Sequence, residues 1–143
     1  MYKKILVTLE NGPADEAVLA HIEKMHPYIP AAEIILLHVA DGWAARNFEK
    51  LNLRESEEMK QDKAYLESVA GRLKKKGIFV KAHLAMGDPA DEIIRFVKEQ
   101  ECDLLAMSTH GHRFFEDLIL GATATKVRHN IEIPVLLVRA PKG

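Results

Sequence analysis

The stretch LLAMSTHGHRFFEDLILGATATKVRHNIEIPVLLV, residues 104–138, decides how the rest of the chain is read. Its apolar run, Leu104 to Met107, reads as a strand and stops at Ser108-Thr109-His110-Gly111. A second glycine-centred turn follows at Gly121-Ala122-Thr123, then a helix-patterned segment to about Asn130. Pro134-Val135-Leu136-Leu137-Val138 reads as a further strand. A strand ending in small residues, with a turn into a helix beyond it, leaves main-chain N–H groups free to face an anion. Phosphate is the common cellular anion of that kind, so the stretch points to a nucleotide.

Upstream, Ile5 to Leu9 and Glu33 to Val39 are apolar runs without alternation, the pattern of strands covered on both faces. Glu10-Asn11-Gly12-Pro13 breaks the first run, and Pro13 suits the first turn of a helix. Ala14, Ala17, Val18, His21, Ile22 and Met25 then recur at helical spacing, closed by Pro27 and Pro30. His21 on that face reads as a packed, hydrogen-bonded core histidine. Residues 41–55, DGWAARNFEKLNLRE, fit no clean period and read as a surface excursion. Residues 55–76 read as a long polar helix with Met59, Leu66, Val69 and Leu73 on one stripe. Its charges, among them Glu57, Glu58, Lys60, Asp62, Lys63 and Lys74 to Lys76, read as a solvated face. Acids lead and bases trail, as the helix dipole favours. Gly77 suits a helix C-cap, and Ile78 to Ala85 is a third strand, less apolar and so nearer an edge. Asp88 suits a cap and Pro89 a first turn, with Ala90, Ile93, Ile94 and Val97 on the buried face. Asp103 to Met107 is the fourth strand.

Composition sets bounds on class. At 143 residues the chain is expected to form a single domain, 1–143, able to remove roughly 68–70% of its unfolded surface from water. With 48% hydrophobic and 29% charged residues the composition is that of a globular protein. A net charge of −1 gives no general attraction to nucleic acid or anionic membrane, and neither is expected as a partner. No run approaches the roughly 20 apolar residues of a membrane span, and Met1 to Ile5 is too short for a signal peptide. A cytoplasmic location is expected. The single Cys102 has no partner for an internal disulfide and reads as a small buried hydrophobe.

The order β-α-β-α-β-α-β-α-β means a parallel sheet with helices on both faces. Ligands of such sheets sit beyond the carboxyl ends of the strands, where the winding reverses. The chain after strand one (Leu9 to Gly12) and after strand four (Ser108 to His112) both lie there. They are neighbours if the strand order is 3-2-1-4-5, which periodicity alone does not decide.

Ser108-x2-Gly111-x9-Gly121-Ala122-Thr123 resembles the Gly-x2-Gly-x9-Gly-Ser/Thr nucleotide motif of the universal stress protein family. Tyr2 to Val7 resembles the family's first strand, Leu36 to Val39 its second, Gly87 to Ile93 its Gly-x-Pro turn and Ile133 to Val138 its last strand. Five pieces in the right order cover essentially the chain outside 41–55. The resemblance implies an open five-stranded α/β fold of order 3-2-1-4-5, adenine nucleotide alpha hydrolase-like. It also implies a homodimer through the last strand, Val135 to Val138, and an adenine nucleotide ligand, ATP or AMP, with or without Mg2+, as a regulatory or stress signal. Carried over by position, Glu10 beside Leu9 holds the ribose and Val39 lies against adenine. Met107, Ser108, His110, Gly111, His112, Gly121, Ala122 and Thr123 form the phosphate segment.

Three positions depart from the motif. Ser108 replaces its first glycine, Ala122 its hydroxyl residue, and Glu10 its usual aspartate. One lost hydrogen bond to a charged group is worth about 1.5–3 kcal/mol, which weakens nucleotide binding without abolishing it. Thr123 or Thr125 can replace part of the lost hydroxyl. The alternative is a dimeric interaction module that binds no nucleotide and offers 41–55 to an unidentified regulatory partner. His110-x-His112 with His129 lacks further ligands to complete a metal site. There is no Gly-x4-Gly-Lys-Ser/Thr loop and no defensible nucleophile or carboxylate pair, so at most slow ATP hydrolysis is expected.

Overall fold

Ile5, Leu6 and Val7 are fully buried, as their unbroken apolar run requires. They lie in β1 (Lys4–Thr8), the middle of a five-stranded sheet. The computed structural model describes residues 1–41, 53–109 and 121–141. In chain order β1 is followed by α1 (Asp15–Met25), a single 3-10 turn (His26–Tyr28) and β2 (Glu33–Asp41). Then come α2 (Leu53–Lys75), β3 (Phe79–Gly87), α3 (Pro89–Glu99), β4 (Leu104–Thr109), α4 (Gly121–Asn130) and β5 (Val135–Arg139). The sheet order is β3-β2-β1-β4-β5 and every pairing is parallel. The order 3-2-1-4-5 is therefore as expected, and β3 is an edge.

Strand alternation splits the core into two layers. Ile5, Val7, Leu9, Ile34, Leu36, Leu104 and Ala106 pack on one face with Val18, Leu19 and Ile22 of α1 and Leu66, Val69 and Leu73 of α2. Leu6, Ile35, Leu37, Leu105 and Met107 pack on the other with Ile93, Phe96 and Val97 of α3 and Ala124 and Val127 of α4. Cys102 is buried in the second layer, and burial pushes its thiol up to about 11, so it stays neutral and unreactive near pH 7.

Local signals hold with adjustments. Gly77 adopts φ +82°, the left-handed turn that follows a helix end. Asp88 accepts the Asp91 N–H at 3.0 Å and Pro89 opens α3. Pro13 does not enter α1, which begins at Asp15 with Ala14 at the cap position. Asp103 lies just before β4 rather than in it. Its carboxylate accepts the Lys3 and Lys4 N–H groups at 2.8 and 3.0 Å and staples the starts of β1 and β4. His21 is half-buried, nearer the edge of the α1 stripe than its centre, because Leu19 takes the core position. The middle of the 41–55 excursion, 42–52, lies outside the described residues, and Leu53 to Arg54, expected in the excursion, are already helical.

α1 and α2 are tied by ions at the rim of their apolar contact. Arg72 grips both Glu16 oxygens at 2.8 and 2.7 Å and Glu23 at 2.8 Å, and Lys76 adds a contact to Glu23 at 2.8 Å. The Arg72 hydrogen bonds hold the Glu16 carboxyl below its ordinary value. At Glu23 burial pushes the carboxyl up, but the Lys76 and Arg72 hydrogen bonds outweigh it and leave it lowered. Carboxyls lowered in the folded state add stability that is full above the unfolded value and lost as pH falls through the folded one. After solvent screening, Arg72→Met should cost about 1 kcal/mol at pH 7. In urea titrations at stepped pH, the gap between variant and wild type should close from about pH 5 toward 3.

Candidate functional site

The sheet reverses its winding between β1 and β4, and in open α/β sheets the crevice outside the carboxyl ends at such a switch point is where ligands bind. Register places the ends side by side. Thr8 pairs with Leu37 and Val7 with Ala106. Leu9 and Glu10 follow directly on β1, while β2 runs on through Val39 and β4 through Ser108 on either side, with neighbouring strands about 4.8 Å apart.

Val39 and Met107 share one face, against the layer that holds α3 and α4. Glu10 is exposed at the start of the β1 loop. Ser108 is half-buried and alternates to the opposite side from Met107. α4 is described from Gly121, with Ala122 exposed and Thr123 half-buried. Leu9 is buried in the α1–α2 layer. Its N–H donates to the Leu37 carbonyl at 2.8 Å and its carbonyl accepts from His38 Nδ1 at 2.8 Å. Leu9 thus shapes the loop with main-chain groups already engaged. His110, Gly111 and His112 lie outside the described residues.

The loop after β1 is held by residues that sequence reading passed over or took as solvated. Asp15, with 1% of its surface exposed, is the only buried charged side chain among the described residues. It accepts the N–H groups of Glu10 and Asn11 at 2.9 Å each, Gly12 at 3.4 Å and the Tyr65 hydroxyl at 2.6 Å. Asn11 sits at φ +60°, a left-handed conformation that asparagine tolerates better than most residues. Burial, then the hydrogen bond to Asp15, pushes the Tyr65 hydroxyl well above its ordinary value, so Tyr65 remains a donor. Asp62, one turn before Tyr65, is half-buried rather than solvated. It accepts from the Asn11 side chain at 2.9 Å and lies 3.3 Å from His38 Nε2, an ion pair when that ring is protonated.

A signal for all four was present. Asp15 precedes Val18, Leu19 and Ile22 at helical spacing, and Asp62 and Tyr65 precede Leu66 and Val69 in the same way. His38 interrupts an apolar strand. Each is a polar residue continuing a buried stripe, and all converge on one loop. On the other face of the sheet, Lys126 of α4 pairs with Asp91 at 2.8 Å and lies 3.7 Å from Asp88, joining α4 to the start of α3. The Asp91 N–H, with Lys126 adding to it, holds the Asp88 carboxyl below its ordinary value. Among the described residues no His, Cys, Asp and Glu cluster suits a metal.

The profile of the Universal stress protein family matches residues 1–139. Universal stress protein MJ0577 of Methanocaldococcus jannaschii is 30% identical over 159 aligned residues, covering 97% of this chain and 96% of the relative. A solved structure of MJ0577 superposes with a TM-score of 0.87 at 28% identity, covering 100% of this chain and 99% of the other. A universal stress protein solved in complex with cAMP has a TM-score of 0.70 at 17% identity, covering 98% of each chain. One from Archaeoglobus fulgidus in complex with dAMP has a TM-score of 0.69 at 18% identity, covering 96% of this chain and 98% of the other. At those last two identities the likeness is one of fold.

Removing one donor to a buried carboxylate weakens a charge-assisted bond. Tyr65→Phe should therefore lower stability by about 2 kcal/mol in urea unfolding, without changing the far-ultraviolet circular dichroism.

Proposed function

Because the chain belongs to the universal stress protein family, we propose that it binds an adenine nucleotide and acts as a regulatory, stress-responsive protein. The observation that carries this reading is the placing of Val39 and Met107 on one face of the sheet, in the two strands that flank β1, with Glu10 exposed just past the end of β1. The two apolar side chains suit a purine, the carboxylate suits ribose hydroxyls, and the segment leading into α4 suits a phosphate. Complexes of universal stress proteins with cAMP and dAMP support an adenine ligand. In this reading Ser108 and Thr123, with His110, Gly111, His112, Gly121 and Ala122, line the phosphate path, with ATP or AMP as ligand and Mg2+ as a companion of ATP. The role is binding rather than turnover, in the cytoplasm.

The same reading includes a homodimer through Val135 to Val138. It is supported by the place of β5 at the sheet edge and the half-burial of these four apolar side chains. A second reading, a dimeric interaction module without nucleotide, is favoured by Ala122, which removes a hydroxyl from the first turn of α4.

Melting with millimolar AMP, ATP or cAMP, each with and without Mg2+, separates the two readings. A ligand at 100 times its Kd adds about 2.7 kcal/mol to stability. Gly121→Val should abolish the shift while leaving the ligand-free melt unchanged, because a branched side chain blocks the phosphate path. No shift with any adenine nucleotide would leave the interaction module standing. Sedimentation at micromolar concentration should give twice the chain mass, and a monomer there would remove the dimer.

A further inference from the structure

The loop between β1 and α1 contains an anion-binding arrangement that is already filled from within. Successive N–H groups converging on one acceptor make a nest of the kind that elsewhere receives phosphate. Here Glu10, Asn11 and Gly12 direct theirs at the Asp15 carboxylate. The negative charge sits at the first residue of α1, where the helix dipole favours it. Two α2 side chains close the arrangement from outside, Tyr65 on Asp15 and Asp62 on the Asn11 side chain.

We infer that Asp15 is a positioning residue for the adenine-nucleotide site, a role that rests on the reading of that site given above. Its carboxylate, bonded to the Glu10 N–H, holds the loop in the shape that presents Glu10 at the carboxyl end of β1. It also occupies the loop amides, so the β1 side of the crevice receives the uncharged nucleoside and the phosphate goes to α4. Asp15 acts through Glu10 and touches no ligand. Because Tyr65 and Asp62 belong to α2, docking of α2 and affinity for the nucleoside are linked, each strengthening the other.

Asp15→Asn conserves volume but cannot satisfy three amides and a hydroxyl with one amide oxygen. Hydrogen exchange of the Glu10, Asn11 and Gly12 amides should quicken at least tenfold in this variant, while exchange in β1 and β4 stays unchanged. Adenosine and AMP should both lose about tenfold in affinity, the worth of one weakened charge-assisted bond. In a Glu10→Ala background the same substitution should cost nothing further. Unchanged exchange at residues 10–12, a loss confined to phosphate-bearing ligands, or an undiminished loss in the Glu10→Ala background would each overturn the role. If Asp15→Asn does not fold, Tyr65→Phe undergoes the same three measurements. Should wild type bind neither adenosine nor AMP, the nucleotide reading fails, and exchange at residues 10–12 still decides whether Asp15 sets the loop.

Discussion

A carboxylate withdrawn from water is tolerated only when its lone pairs are filled, and Asp15 meets that condition with three main-chain amides and one phenol. The shape of the loop after β1 follows from this. Asn11 turns left-handed to aim its amide, Pro13 is held clear of α1, and the helix starts two residues later than its proline invites. The docking of α2 follows as well, since Tyr65 and Asp62 reach the loop only when the α2 stripe is seated on the sheet. Among the described residues no buried side-chain nitrogen or oxygen lacks a partner, so the polar interior is fully used.

The sheet divides its labour between its two ends. At the amino ends of β1 and β4, Asp103 clamps two consecutive amides and Lys4 reaches the Gln100 carbonyl at 3.2 Å, which fixes the register. The carboxyl ends are left for the loops, and the change of winding direction falls between β1 and β4. Ion pairs then secure the periphery. Arg72 and Lys76 join α1 to α2 on one face, and Lys126 joins α4 to α3 on the other. Such contacts are worth little singly in water, and the two apolar layers carry most of the stability.

Much of this was legible in the residues. Unbroken apolar runs identified the buried strands, Gly77 and Asp88-Pro89 marked helix boundaries, and the spacing Ser108-x2-Gly111-x9-Gly121 with four flanking pieces identified the family. What misled was the treatment of polarity on α2. Asp62 and its neighbours were read together as a solvated face, whereas Asp62 lies on the inward stripe and answers to Asn11, 51 residues away. Asp15 drew no reading at all, although it is almost completely buried.

The element order, the continuous burial of the strands and the family could be read from the residues, because these depend on hydrophobic period and on turn chemistry within a few neighbouring residues. Only the tertiary structure decided which polar residues face inward and which loop they hold. Those choices are made by partners distant in the chain, such as Asp15 with Tyr65 and His38 with Leu9, which meet only after the sheet has formed with β2 and β4 on either side of β1. Local patterning carries no record of such meetings, since a buried carboxylate and a solvated one are spelled with the same residue.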